Sequence, residues 1–358
     1  MAKPKNAVIL ANKAFGTLEG KTANSLVIYG GRLFKIVAVI DEDRAGQDAG
    51  EVLNIGRKGI PVVKNFEESL KYKPKVLIIG IAPPGGGLPV EWRAIIKSAI
   101  KNHLDIVSGL HYFFSDDPEF ARLANRYKVK LHDLRKPPKG LRVAQGDVDK
   151  LKVPIVAIMS TDAASGKNIA ILELIKEAES RGFKAGFVAT GQTTMMLGGD
   201  AGACIDAIPA DFVSGQIEKM VVDVAAMGKD VIFVEGQGSL SHRAYGQDAL
   251  GVIYGCWPDA TIIVHDPFRK GRDGFPQFSV PKPSEEAKLI ETVCPKTKVV
   301  GIAINGYKRT DEEVRAAIRQ VEQETGLPAT DALRFGVKNL FDALLKRFEE
   351  VGKPLGRA

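Results

Sequence analysis

Residues 153–170, VPIVAIMSTDAASGKNIA, decide how the chain is read. A run of buried-type residues, Val153 to Met159, stops at small and polar residues and reaches Gly166-Lys167. It then continues into a segment with apolar residues at helical spacing, Ile169, Leu172, Leu174 and Ile175. This is the pattern of a strand, a tight loop and a helix start. Such a loop turns backbone N–H groups inward, and the helix N-terminus adds partial positive charge. A lysine beside the last glycine supplies a full charge. Thr161, Asp162, Ala163, Ala164, Ser165, Gly166, Lys167 and Asn168 are therefore a candidate cofactor-binding cradle for phosphates. The usual phosphate loop reads G-x-x-x-x-G-K-[ST]. Here Thr161 replaces the first glycine, and Asn168 replaces the hydroxyl residue that holds Mg²⁺. The alternative is a strand-to-helix turn with a solvated lysine.

Downstream, the helix opened at Ile169 runs to Arg181 and ends at Gly182, and Lys184 to Thr190 is the next strand. That strand delivers TGQTTMMLGGDAG, residues 190–202, read as a polar loop with Thr190, Gln192, Thr193 and Asp200 as candidate substrate contacts. A strand from Asp230 to Val234 delivers Glu235, Gln237, Ser239 and His242. An acid at the end of an apolar strand, in the same domain as a phosphate loop, commonly binds Mg²⁺. Further strands, Ala260 to Val264 and Val299 to Ile304, end at His265-Asp266-Pro267, with Arg269 beyond, and at Asn305. All these polar clusters fall at one edge of a parallel sheet, where ligands of α/β proteins sit. His242 is the first candidate base and Glu235 the second, with Ser239 a weaker nucleophile candidate. Arg269 is a candidate clamp for a substrate carboxylate, because its planar fork binds bidentately.

Upstream, strands at residues 6–11, Phe34 to Ile40, Ile60 to Val63 and Lys75 to Gly80 alternate with helices over Lys21 to Tyr29, from about Phe66, and over Glu91 to Asn102. The rhythm predicts a second doubly wound parallel sheet, Rossmann-like in architecture. Its candidate lining is Gly16, Thr17, Asp41, residues 82–87 and Ser108 to His111. The G-x-G-x-x-G fingerprint is absent after the first strand, so nicotinamide binding is not expected. The Pro- and Gly-rich segment Arg135 to Leu151 marks a boundary between a first domain, residues 1–140, and a second, residues 150–358.

At 358 residues the chain is long enough for two cores. Its 50 basic and 43 acidic residues leave a net charge of +7, spread rather than clustered. That distribution favours anionic small molecules over nucleic acid. Three cysteines, Cys204, Cys256 and Cys294, lack metal-ligand or disulfide-framework spacing, and no apolar run approaches the length of a membrane span. A soluble cytoplasmic protein, in a homo-oligomer as is ordinary for soluble enzymes, is the expectation.

Taken together, the strings STDAASGK (160–167), VATGQT (188–193), GGDAGACIDAIPADFVSG (198–215), VEGQGSLSH (234–242) and PDATIIVHDPFR (258–269) resemble the DUF1611 family, as do AVID (38–41) and IAPPGG (81–86) in the first half. The likeness covers nearly the whole chain. The phosphate-loop half is also similar to dethiobiotin synthetase, at Thr161-Asp162 and Val234-Glu235-Gly236. The family resemblance implies a Rossmann-like domain followed by a phosphate-loop domain. It also implies D-glutamate N-acetyltransferase activity, with acetyl-CoA as donor and an amino acid, D-glutamate first, as the small-molecule acceptor. Acetyl transfer from a thioester needs no metal, which accounts for Asn168. The dethiobiotin-synthetase likeness implies the competing class, a ligase or kinase using ATP and Mg²⁺, with Glu235 and Asp162 holding the metal. A third reading is a sensor that binds a nucleotide or CoA without turnover.

Overall fold

The computed structural model describes residues 3–30, 32–81 and 86–356. Two compact units emerge, one comprising Met1–Pro137 with Gln192–Gly198, the other Pro138–Gly191 with Gly199–Ala358.

The first unit holds six strands: β1 (Lys5–Leu10), β2 (Phe34–Ile40), β3 (Val62–Val63), β4 (Val76–Ile79), β5 (Asp105–Ser108) and β6 (Leu131–Asp133). Their order is β3-β2-β1-β4-β5-β6 and every pairing is parallel, the Rossmann arrangement. The four residues of β4 are all buried, as expected of a sheet covered on both faces. Val8, Leu10, Ile40, Ile79, Phe66, Trp92, Ile96 and Phe120 belong to one apolar core. Each such side chain contributes about 1.5–3 kcal/mol on burial. The expected third strand is shorter than its sequence pattern: Pro61 lacks a donor, and only Val62–Val63 join the ladder.

The region read as a polar loop after Thr190 contains a helix, Gln192–Leu197, with five of its six residues buried. It packs with the first unit. Thr193 Oγ1 lies 2.9 Å from Thr22 Oγ1, and any Cβ on Gly109 would strike the Gln192 side chain.

The second unit contains β7 (Ile155–Ser160), β8 (Ala185–Ala189), β9 (Ala201–Gly202), β10 (Val231–Glu235), β11 (Ala260–His265), the hairpin β12 (Gly271–Arg272) and β13 (Phe275–Ser279), β14 (Lys298–Ile304) and β15 (Ala329–Asp331). Apart from the hairpin they form one parallel sheet, ordered β15-β14-β11-β7-β10-β8-β9. The central β7, buried throughout, is flanked by β10 and β11, so the loops leaving these three strands share one edge. The helix after the loop spans Lys167–Ser180, two residues earlier than its apolar period indicates, because Gly166 in a left-handed conformation (φ 102°) releases the chain directly into it. Elsewhere the buried Glu218, on helix Ala210–Ala225, accepts from Gln145 N (2.7 Å) and Asp147 N (2.6 Å), fastening the boundary segment to this unit.

Candidate anion-binding site

The loop 161–166 is held from outside by side chains while its backbone donors stay unsatisfied. Thr161 N donates to Val264 O at 3.1 Å. The N–H groups of Asp162, Ala163, Ala164, Ser165 and Gly166 have no acceptor in hydrogen-bonding geometry among the described residues. Five successive donors ahead of a helix N-terminus make an anion nest. Lys167 is buried, and its Nζ donates to Ser160 Oγ at 2.7 Å, with the carbonyls of Asp162 and Gly238 at 3.4 and 3.5 Å. Ser165 Oγ donates to Asp162 O. The residues meant to hold phosphates are thus brought together on one turn.

Asp162 is the hub of this loop. Its Oδ2 accepts from Arg269 Nη1 (2.7 Å) and Asp273 N (2.8 Å). Arg269 also donates to the carbonyls of Ala163 (2.7 Å) and Ala164 (3.1 Å). The Arg269 fork therefore acts as a strut shaping the loop, rather than as an open clamp for a substrate carboxylate.

His242 is buried, stacked on Tyr245 (ring centroids 4.6 Å apart) and edge-on to Phe275. Its Nδ1 accepts from Ala244 N and Tyr245 N at 3.1 and 3.3 Å. The neutral ring accordingly carries its proton on Nε2, which faces Asp162 Oδ1 at 3.6 Å. Burial holds its pKa below the ordinary value, although the Asp162 carboxylate pulls it up. With its one lone pair engaged by two N–H groups, His242 is no ready base. It supports Asp162.

Glu235, at the tip of β10, is buried and accepts at Oε2 from Thr190 N (2.8 Å), Gly191 N (3.0 Å) and Thr190 Oγ1 (3.1 Å). Gln237 Nε2 donates to Thr190 Oγ1, completing that cluster. The N–H groups of Gln237, Gly238 and Ser239 meet no acceptor among the described residues. Ser239 Oγ is fully buried, and among the described residues its hydrogen-bond partners are Arg272 Nη1 (3.0 Å) and Ser241 Oγ (3.4 Å), neither of them a base, so the nucleophile role has no structural support.

Other expected residues lie elsewhere or serve the scaffold. Asp200 accepts from Phe187 N and Lys229 Nζ, pinning the sheet edge. Gln192 and Thr193 belong to the first unit. His265 Nδ1 lies 2.9 Å from Thr161 Oγ1, and burial pushes its pKa down to about 4. In the first unit, Asp41 accepts from Phe15 N and Asp43 N, and residues 82–85 of the expected lining lie outside the described residues. The three cysteines are buried, and among the described residues they form no disulfide. Among the described residues no three His, Cys, Asp or Glu side chains are grouped to hold a metal ion, and no helix is long and apolar enough to cross a membrane. The sequence reading missed Arg272 and Asp273. They sit on a hairpin whose Asp273-Gly274 turn, with Gly274 at φ 73°, is a sequence-level signal.

Fold and site together define a two-unit α/β protein, Rossmann-like then phosphate-loop, with an anion nest in the second unit. The chain belongs to the DUF1611 family. The model of a "Domain of unknown function (DUF1611_C) P-loop domain" matches residues 142–341, and that of the DUF1611_N Rossmann-like domain matches residues 42–137. A protein of Tritonibacter scottomollicae named D-glutamate N-acetyltransferase is 36% identical over 283 residues, covering 78% of this chain and 84% of that protein. One of the same name from a Pseudoalteromonas species is 33% identical over 277 residues, 76% and 82% of the two chains. The crystal structure of a DUF1611 family protein from Anabaena variabilis is 37% identical, with a TM-score of 0.89, over 96% of this chain and 99% of that one.

Proposed function

We propose that the protein is an N-acetyltransferase moving the acetyl group of acetyl-CoA to the amino group of an amino acid, with D-glutamate the first acceptor to test. The observation that carries this reading is the identity, across three quarters of the chain, with two proteins so named. The site is compatible with it. The five unsatisfied N–H groups and Lys167 would hold phosphates of CoA. Glu235 takes one proton from the substrate ammonium, and the freed amine attacks the thioester carbon. The N–H groups of Gln237 to Ser239 stabilise the oxyanion. As the C–N bond forms and the C–S bond breaks, the nitrogen's second proton passes to the departing thiolate.

The ATP- and Mg²⁺-dependent reading fits the donor set less well. Asn168 stands where a hydroxyl would hold the metal, Asp162 is bound by Arg269, and three donors occupy Glu235 Oε2. The test is a thermal-shift titration with acetyl-CoA, CoA and ATP, each with and without Mg²⁺, followed by a thiol-release assay with D-glutamate. A Mg²⁺-independent shift with CoA and thiol release are expected. A shift with ATP plus Mg²⁺ alone would sink the proposal.

A further inference from the structure

Arg272 is a buried cation, 8% exposed, that no carboxylate of a described residue meets directly. Its Nε donates to Ser279 O (3.1 Å), Nη1 to Ser239 Oγ (3.0 Å) and Nη2 to Ser241 Oγ (2.9 Å). A guanidinium has five N–H groups, so two remain. Glu286, fully buried, accepts from Leu240 N and Ser241 Oγ, both at 2.6 Å, and so reaches Arg272 only through a hydroxyl. Burial raises the Glu286 carboxyl above its ordinary range, which weakens it further as a counter-ion. An unpaired buried charge is costly, and an anionic ligand relieves that cost.

A pocket of about 260 Å³ opens at this residue, lined by Ser241, His242, Arg243, Arg272, Gln277 and Phe278 among others. Arg243 lies 4.4 Å over the Phe278 ring and supplies a second cation to the wall, while no carboxylate among the described residues lines the pocket. The volume is below that of a drug-sized site, which suits one small anion or one end of a larger molecule. The adjoining Asp273 N is bonded to Asp162 of the phosphate loop, and the lining His242 faces the same carboxylate, so the pocket adjoins the cradle.

We propose that this pocket receives a carboxylate of the acceptor on the Arg272 fork, and that it selects acidic amino acids. The proposal rests on the acetyl-transfer reading for its substrate, though not for its anion. The same chemistry would accept a phosphate of the donor, so the experiment separates the two.

Gln277 is exposed, and Gln277→Glu places a like charge in the pocket without disturbing the core; Arg243→Ala removes one cation from the exposed wall. In the wild type, glutarate raises the melting temperature, and Gln277→Glu abolishes that shift. With turnover, both variants raise KM for the acidic acceptor about tenfold or more. KM for acetyl-CoA stays unchanged. A variant that instead raises KM for acetyl-CoA, and not for its 3′-dephospho analogue, assigns the pocket to the donor's phosphate and overturns the proposal. Absence of any glutarate shift in the wild type also overturns it, whatever the turnover. A glutarate shift lost in Gln277→Glu, with no acetyl transfer to any amino acid, sustains the anion site and overturns only the acetyl-transfer reading.

Discussion

The two sheets each send their first strand into a loop and a helix, and the two loops use their backbone donors in opposite ways. After β1, the donors turn inward: Ala14 N and Phe15 N reach Ala11 O, Phe15 N also reaches Asp41, Gly16 N reaches Asn24 Oδ1, and Thr17 N reaches Ala14 O. After β7, five successive N–H groups are left without a described acceptor, because Arg269 and Asp273 hold the loop open through Asp162. A glycine-bearing turn beyond a parallel strand is thus not by itself a phosphate site. What matters is whether something outside the loop satisfies its shape, so that its own donors need not.

The comparison can be broken at four points. The largest effect is expected at the acid of the second sheet: Glu235→Gln lowers kcat about 10²–10⁴-fold in the thiol-release assay, as for a lost general base. Retained turnover would place the base elsewhere. Next, Lys167→Ala weakens CoA binding about 10–100-fold by calorimetry, the effect of losing one charged hydrogen-bonding group. The matched change in the first sheet, Asp41→Ala, leaves CoA affinity as it was. It lowers unfolding stability by about 1–3 kcal/mol in urea, since Phe15 N and Asp43 N lose their acceptor. An Asp41 variant that loses CoA binding would erase the distinction between the loops.

The smallest effect is one of pH. His265 has a folded pKa of about 4 against an ordinary 6.5, because burial disfavours its charged form. The unfolded chain therefore binds the extra proton first. Stability due to this residue is complete above pH 6.5 and declines as pH falls toward 4. His242, lowered in the same direction, adds to the slope. His265→Gln should flatten the fall in melting temperature across that window, and an unchanged slope would assign it to other groups.

Much of this architecture could be read from the chain, and the misses share a cause. Strands buried on both faces, such as β4 and β7, announce themselves by continuous apolar runs, and the phosphate loop by Gly166-Lys167. What escaped was set by partners distant in sequence. The polar-looking Gln192, Thr193 and Thr194 are buried in a helix because the first unit supplies their surroundings. Arg269 looks like a free clamp until Asp162 and two loop carbonyls occupy its fork. His242 is the local exception, since the N–H groups of Ala244 and Tyr245, two and three residues on, take its lone pair. Residue type and spacing reveal which groups gather at an edge. They do not reveal which groups are already engaged.

The helix Gln192–Leu197 has a consequence for how the protein is made. The unit that begins the chain is incomplete until a piece encoded some fifty residues past its apparent end at Pro137 has been synthesised. At about 5–20 residues per second, that delay is several seconds on the ribosome. During it the first unit waits without the helix Gln192–Leu197. A gene cut at residue 137 would yield a fragment that lacks this helix, and the remainder would carry the helix without the unit it belongs to.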